Sequence, residues 1–202
     1  GTPVARGAAL SISGAITVAD AITLNGTGIS NTGALRSTAT NKTVSGAITL
    51  GSDSRINSDA NTLTLTGGIT GTGLALTVGG AGATTISTTG LNTGDGGSLV
   101  KDGSGTLTIA AAGDYTGSTA VNAGVLAISN ATALGTTAGG TTVASGAALN
   151  ISGNITVGAE ALTISGTGIS NGGALRNTSG TNTFGGAITL NAASRINSDT
   201  AT

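Results

Sequence analysis

The sequence predicts an all-β chain coiled as a right-handed parallel β-helix, a β-solenoid with roughly 20–25 residues per rung. Three observations carry that expectation. Apolar residues alternate with Thr, Ser or Ala in very short runs, the period of a strand with one buried face. Glycine is abundant, at 37 of 202 residues, and stands in pairs between those runs. Large side chains are almost missing: one Tyr, one Phe, no Trp and no Met. A core of Ala, Val, Ile and Leu alone is too thin for a two-layer α/β domain. It suits a coil in which small inward rows stack on themselves turn after turn.

The strands read in order as Leu10-Ser11-Ile12, Ile16-Thr17-Val18, Ile22-Thr23-Leu24, Ile48-Thr49-Leu50, Leu63-Thr64-Leu65, Leu107-Thr108-Ile109, Leu126-Ala127-Ile128 and Ile155-Thr156-Val157. Each is three to five residues long by its pattern. Asn25-Gly26, Gly67-Gly68, Gly79-Gly80, Gly96-Gly97 and Gly139-Gly140 supply the positive φ angles of sharp corners between them. Leu107, Ile109, Leu126 and Ile128 are expected to point inward and Thr108 outward. Antiparallel sandwiches need longer strands and aromatic anchors than this chain has.

A long repeat lies above the short one. Gly1 to Asp20 aligns with Gly140 to Ala159 and, after one residue of slippage, Ile22 to Thr62 aligns with Leu162 to Thr202. About 39 of 61 positions match, at a period of roughly 140 residues. GTGISN recurs at Gly26 to Asn31 and Gly166 to Asn171, GALR at Gly33 to Arg36 and Gly173 to Arg176, and GAITL with SRINSD at Gly46 to Asp59 and Gly186 to Asp199. The expected organisation is one continuous solenoid over residues 1–202, with a first unit at 1–139 and the start of a second at 140–202. Starting at Gly and stopping inside a repeat, it reads as a piece of a tandem array. About nine rungs are expected, about six per long period, in a rod on the order of 40 Å long.

Composition also removes function classes. With no His and no Cys there is no imidazole base, thiolate or ordinary zinc site. Seven Lys plus Arg against eight Asp plus Glu leave no basic surface for nucleic acid. Asp53, Arg55 and Asp59 form the one tight charged cluster, but Ala193 replaces Asp53 in the second copy while Arg195 and Asp199 persist, which fits an ion pair or turn device rather than a catalytic couple. Asn92 to Gly97 with Asp102-Gly103 lacks the nonapeptide period of calcium-binding β-rolls and reads as a turn. Gly26 and Gly28 form a corner, since no helix-forming segment follows them as in a phosphate loop. Thr62 to Thr66 raises ice binding, but the Thr-x-Thr pairs do not recur at rung period in the sequence. Asn31, Asn57, Asn171 and Asn197 are read as amide ladders or left-handed corners, Tyr115 and Phe184 as corner or core residues, and Arg36 and Arg176 as partners of a neighbouring acid. No residue is assigned to catalysis, a cofactor or a metal.

Leu99-Val100-Lys101-Asp102-Gly103-Ser104-Gly105-Thr106-Leu107-Thr108-Ile109, followed by Tyr115-Thr116-Gly117-Ser118-Thr119-Ala120-Val121-Asn122-Ala123-Gly124-Val125-Leu126-Ala127-Ile128, resembles the autotransporter-associated β-strand repeat, whose pattern is close to LxKxGxGTLTL and then YTGxTxVxxGxL. The resemblance implies a β-helical passenger region of a type V secreted protein, displayed on or released from a Gram-negative cell, with a translocator barrel elsewhere in the parent. It implies a scaffold without catalytic residues or cofactors. A cysteine-free chain agrees with an oxidising exterior. The function expected is therefore a structural extracellular solenoid, as stalk, surface layer or filament, stacking end to end with neighbouring copies. An adhesin segment binding a surface or glycan ligand is the alternative; a polysaccharide-acting enzyme or an ice-binding solenoid ranks below both.

Overall fold

The computed structural model describes residues 1–199. Its strands are all parallel where they pair, and they stack as a β-solenoid of about nine turns. Two three-residue 3-10 turns, Ile29–Asn31 and Ile169–Asn171, are the whole helical content of the described residues.

Each turn has three faces. The first face carries Thr2–Val4, Ile22–Gly26, the start of Ile48–Ser58, Ile69–Thr70 and Leu91–Asn92. It continues through a single bridge from Leu91 to Gly113 and ends in the pair Thr156–Val157 and Thr183–Phe184. The second face runs from Leu10–Ile12 and Leu35–Ser37 through the end of Ile48–Ser58 to Ala75–Gly79, Ser98–Lys101, Thr119–Val121, Thr141–Val143, Leu162–Gly166 and Ile188–Ser194. On the third face nine strands form an unbroken ladder from Thr17–Val18 to Ile196–Ser198. In regular register the step from a residue to its partner one turn on ranges from 19 residues, Leu107 to Leu126, to 27, Thr156 to Thr183. This range is slightly wider than the sequence suggests, because the longest turns accommodate an outward loop.

Parallel in-register stacking turns the alternation of each strand into continuous rows. On the third face Val44, Leu65, Ile86, Ile109, Ile128 and Ile151 follow one another inward. On the second, Leu35, Ile56, Val78, Lys101, Val121, Val143 and Ile164 do the same. Leu107, Ile109, Leu126 and Ile128 are all buried, as their alternation requires, while Thr108 faces out. The aliphatic rows form one core cluster from Val4 to Leu175. Each leucine or isoleucine buried there contributes about 1.5–3 kcal/mol, and the inner strands of the second and third faces pair with both neighbouring turns.

Candidate functional site

Where the inward row of the second face should hold an aliphatic residue between Val78 and Val121, it holds Lys101. The side chain is 2% exposed. Its Nζ turns into the corner between the second and third faces and donates to the carbonyl oxygens of Asp102 at 2.6 Å, Gly103 at 2.8 Å and Ala123 at 3.0 Å. Asp102 and Gly103 lie in its own corner and Ala123 in the corner one turn on, so the ammonium clasps two successive turns. Burial lowers its pKa to about 8, against the raising effect of the Asp102 charge and with a further lowering from Arg55. It therefore keeps its proton, and its three donors, at neutral pH.

Glycine makes that clasp possible. Gly124 sits at φ 70°, and a Cβ there would collide with the carbonyl oxygens of Gly103 and Gly105 and lie 2.7 Å from Lys101 Nζ. Lys101, Gly103, Gly105 and Gly124 are thus one device: a cation, the corner carbonyls it gathers and the bare backbone that lets it approach. Lys42 is a simpler version on the third face, buried and donating to the Thr40 carbonyl at 2.9 Å and the Thr40 hydroxyl at 3.3 Å.

A second polar feature crosses the interior. Tyr115, fully buried, shares a 2.7 Å hydrogen bond with Thr119 Oγ1, and its hydroxyl also donates to the Ala133 carbonyl at 3.4 Å. Thr119 stacks in register beneath Thr141, whose hydroxyl donates to Glu160 Oε1 at 2.8 Å. Glu160 is 2% exposed, and burial raises its carboxyl pKa, the Thr141 hydrogen bond partly opposing. Burial likewise raises the Tyr115 phenol. Tyr115 covers the stretch of the first face that lacks a regular strand, filling with one aromatic ring what aliphatic rows fill elsewhere.

The charged cluster read from the sequence divides: Arg55 and Asp59 stay linked through Asn57, which accepts from Arg55 at 3.1 Å and donates to Asp59, while Asp53 leaves them. Asp53 accepts from the Ala75 backbone N–H at 2.9 Å, Asp59 pairs with Arg36 at 2.6 Å, and Arg55 reaches two turns along to grip Asp102 with bonds of 2.7 and 2.8 Å. Gly79 stands in the turn between; with no side chain, it lets the Arg55 guanidinium and the Asp102 carboxylate meet over it. In the second copy Arg176 pairs with Asp199 at 2.7 Å, and Arg195 donates to Asn197 Oδ1 at 3.3 Å. The expected pairing of Arg36 and Arg176 with an acid is therefore present. These are ties between turns rather than two carboxylates converging on a groove. Among the described residues no group of three or more potential metal ligands is brought together. Asp95 accepts from the Thr116 hydroxyl at 3.0 Å within a turn in which Gly94 and Gly96 have positive φ. Asn31 and Asn171 occupy left-handed corners, whereas Asn57 and Asn197 donate to Asp59 and Asp199. Phe184 packs part-buried against the core.

Thr-x-Thr pairs do not repeat from turn to turn, but single Thr residues do: Thr17, Thr43, Thr64, Thr85 and Thr108 stand in a single file on the third face. The sequence hid this because turns of unequal length put those threonines at uneven spacings. Beside Thr64, the neighbouring outward positions on successive turns are mixed, Thr62 followed by Ala83 and Thr106, so the face is one file wide. Sequence reasoning missed Glu160, although it is the residue inserted where the two copies slip by one position. Hollows of about 420 and 400 Å³ lie at the two open ends of the coil between core-row side chains such as Leu175 and Phe184 or Leu10 and Ile12.

No curated protein and no solved structure matches the chain. The sequence model of the passenger-associated-transport-repeat family matches residues 99–128, which include Lys101, Gly103, Gly105, Tyr115, Thr119 and Gly124. The segment 99–128 is thus a passenger-associated transport repeat, the repeat of autotransporter passenger regions, and it forms the fifth and sixth turns of this solenoid around the Lys101 clasp and the Tyr115 hydrogen bonds.

Proposed function

We propose that this chain is a non-catalytic structural rod of an extracellular passenger region, whose work is to hold length and resist unfolding outside the cell. The observation that carries the reading is how the paired charged side chains are used. Lys101 and the pairs Arg36–Asp59, Arg55–Asp102 and Arg176–Asp199 tie one turn to another in a segment that carries the passenger repeat. The continuous ladders of the second and third faces make stability grow with the number of turns, as in other solenoids. In the parent, each open end is covered by a further turn or by a neighbouring copy, and a translocator in the outer membrane exports the rod.

An adhesin is the second reading, favoured by one observation. Ile29 and Ile169, on the two copies of the same outward loop, are 59% and 38% exposed.

The test is immunogold electron microscopy of intact producing cells with an antibody raised against residues 1–199, with protease added to parallel samples. Surface label on thin projections, removed only slowly by protease, is expected. Label that appears only after the cells are permeabilised would overturn the extracellular reading.

A further inference from the structure

We infer that successive copies of the roughly 140-residue unit are mounted one face apart on the solenoid, about six and one third turns per copy, so that identical surface loops point in different directions round the rod. The sequence suggests about six turns per copy, and the strand ladders add the further third. Thr2–Val4 lies on the first face, yet its counterpart Thr141–Val143 pairs into the second. Leu10–Ile12 lies on the second face and its counterpart, Ala148–Ile151, on the third. Thr17–Val18 is on the third and Thr156–Val157 on the first, between the third-face strand before it and the second-face strand after it. The same single step separates Ile22–Gly26 from Leu162–Gly166 and Leu35–Ser37 from Leu175–Asn177.

The threonine files repeat the displacement. Thr17 and Thr43 start the file on the third face, and their counterparts Thr156 and Thr183 start another on the first. Thr23 and Thr49 are partners on the first face; Thr163 and Thr189 are partners on the second. Within a unit the local stacking is preserved, and between units the whole pattern moves round by one face.

The most exposed element of the unit shows the consequence. The loop after Ile22–Gly26 leaves the corner between the first and second faces, and the loop after Leu162–Gly166 leaves the corner between the second and third. Both hold the same backbone, with Gly28, Ser30, Asn31 and Gly33 at φ 79°, 48°, 63° and 110°, matched by Gly168, Ser170, Asn171 and Gly173 at 75°, 51°, 60° and 115°. Two adjacent non-glycine residues, Ser30 and Asn31, stand in the left-handed region in both copies, so the loop's shape is maintained against backbone strain. Its direction is not maintained: Ile29 and Ile169 project from different corners. An array built on this step spirals its loops round the rod and returns to the starting face after three units. Adjacent units then never offer the same face to one side, which suits a rod approached from all round and not a flat layer joined through one repeated face.

The chain has no cysteine, so spin labels can be placed at will. Two double variants decide the matter by pulsed electron spin resonance: Thr23→Cys with Thr156→Cys, and Thr23→Cys with Thr163→Cys. Thr156 lies six turns along on the face of Thr23, about 29 Å at roughly 4.8 Å per turn. Thr163 is the repeat counterpart of Thr23 but lies on the next face. The Thr23/Thr156 distance is expected to be the shorter. Equal distances, or a shorter Thr23/Thr163 distance, would overturn the inference. Should a labelled variant fail to fold, Ala120→Cys with Thr142→Cys gives an independent readout. These are in-register neighbours on the second face, and their oxidation to a disulfide is expected, whereas a whole number of turns would put Thr142 over Asp114 and leave the Ala120 pair unlinked. These measurements use the isolated chain and stand or fall separately from its place outside the cell.

Discussion

Replacing Lys101 with Met keeps the length and most of the volume of the side chain, lets it pack between Val78 and Val121, and removes the three bonds to the carbonyls of Asp102, Gly103 and Ala123. At about 1 kcal/mol net per bond, desolvation of the donor included, the loss is about 3 kcal/mol. The corner carbonyls of two successive turns then have no donor in that pocket. Lys42→Met is the internal comparison: one carbonyl and one longer hydroxyl contact are lost there, for about 1 kcal/mol. Urea unfolding followed by far-ultraviolet circular dichroism, with the fluorescence of the single Tyr as a second probe, separates the two. With a slope of roughly 2 kcal/mol per molar, Lys101→Met should move the midpoint down by about 1.5 M and Lys42→Met by about 0.5 M. A Lys101→Met protein as stable as the parent would refute the reasoning, because burying the ammonium would then cost as much as its bonds return.

Further consequences are open to the same assay. Gly124→Ala should cost about 2–3 kcal/mol, since its Cβ meets backbone carbonyls, whereas Gly146→Ala, also at positive φ but with nothing within 4 Å, should cost about 1 kcal/mol. Leu107→Asp should prevent folding of the central turns and Thr108→Asp should leave the spectrum unchanged, because the first faces the core and the second faces solvent. Glu160 gives a pH dependence of known sign. Its folded pKa is raised, so the folded chain holds that proton more tightly than the unfolded chain. Its contribution is fully present below the unfolded value near 4.5 and is lost as pH rises through the folded value. Glu160→Gln should abolish that loss and raise the urea midpoint at pH 7 but not at pH 4; an equal shift at both would show that the carboxyl is not responsible.

Much of this fold is legible in the sequence because each strand states its own burial. Leu107-Thr108-Ile109 alternates, and its outer residues are buried while its middle one is not. The paired glycines mark corners, and the repeat signature marks the turns built round Lys101 and Tyr115. What the sequence does not state is which residue lies above which. Arg55 and Asp102 are 47 positions apart, and nothing local to either names the other; their meeting depends on two turn lengths and on Gly79 lying between. The Thr file was hidden for the same reason. Turns of 19 to 27 residues do not divide the 140-residue period evenly, so the rotation between copies appears only once the ladders are known. Glu160 is one of eight scattered acids, and only its position at the slip between copies singles it out.

The central claim is the parallel, in-register stacking of successive turns, and cysteine pairs along the outward Thr file test it most directly. Thr64 with Thr85, Thr85 with Thr108 and Thr108 with Ala127 are neighbours on adjacent strands, about 4.8 Å apart and within reach of a disulfide. Thr64 with Thr108 spans two turns, about 9.6 Å, beyond that reach. Mild oxidation of the four double variants should link the three adjacent pairs and leave the fourth as free thiols. Failure of the adjacent pairs to link, or linkage of Thr64 with Thr108, would contradict the stacking on which the account rests.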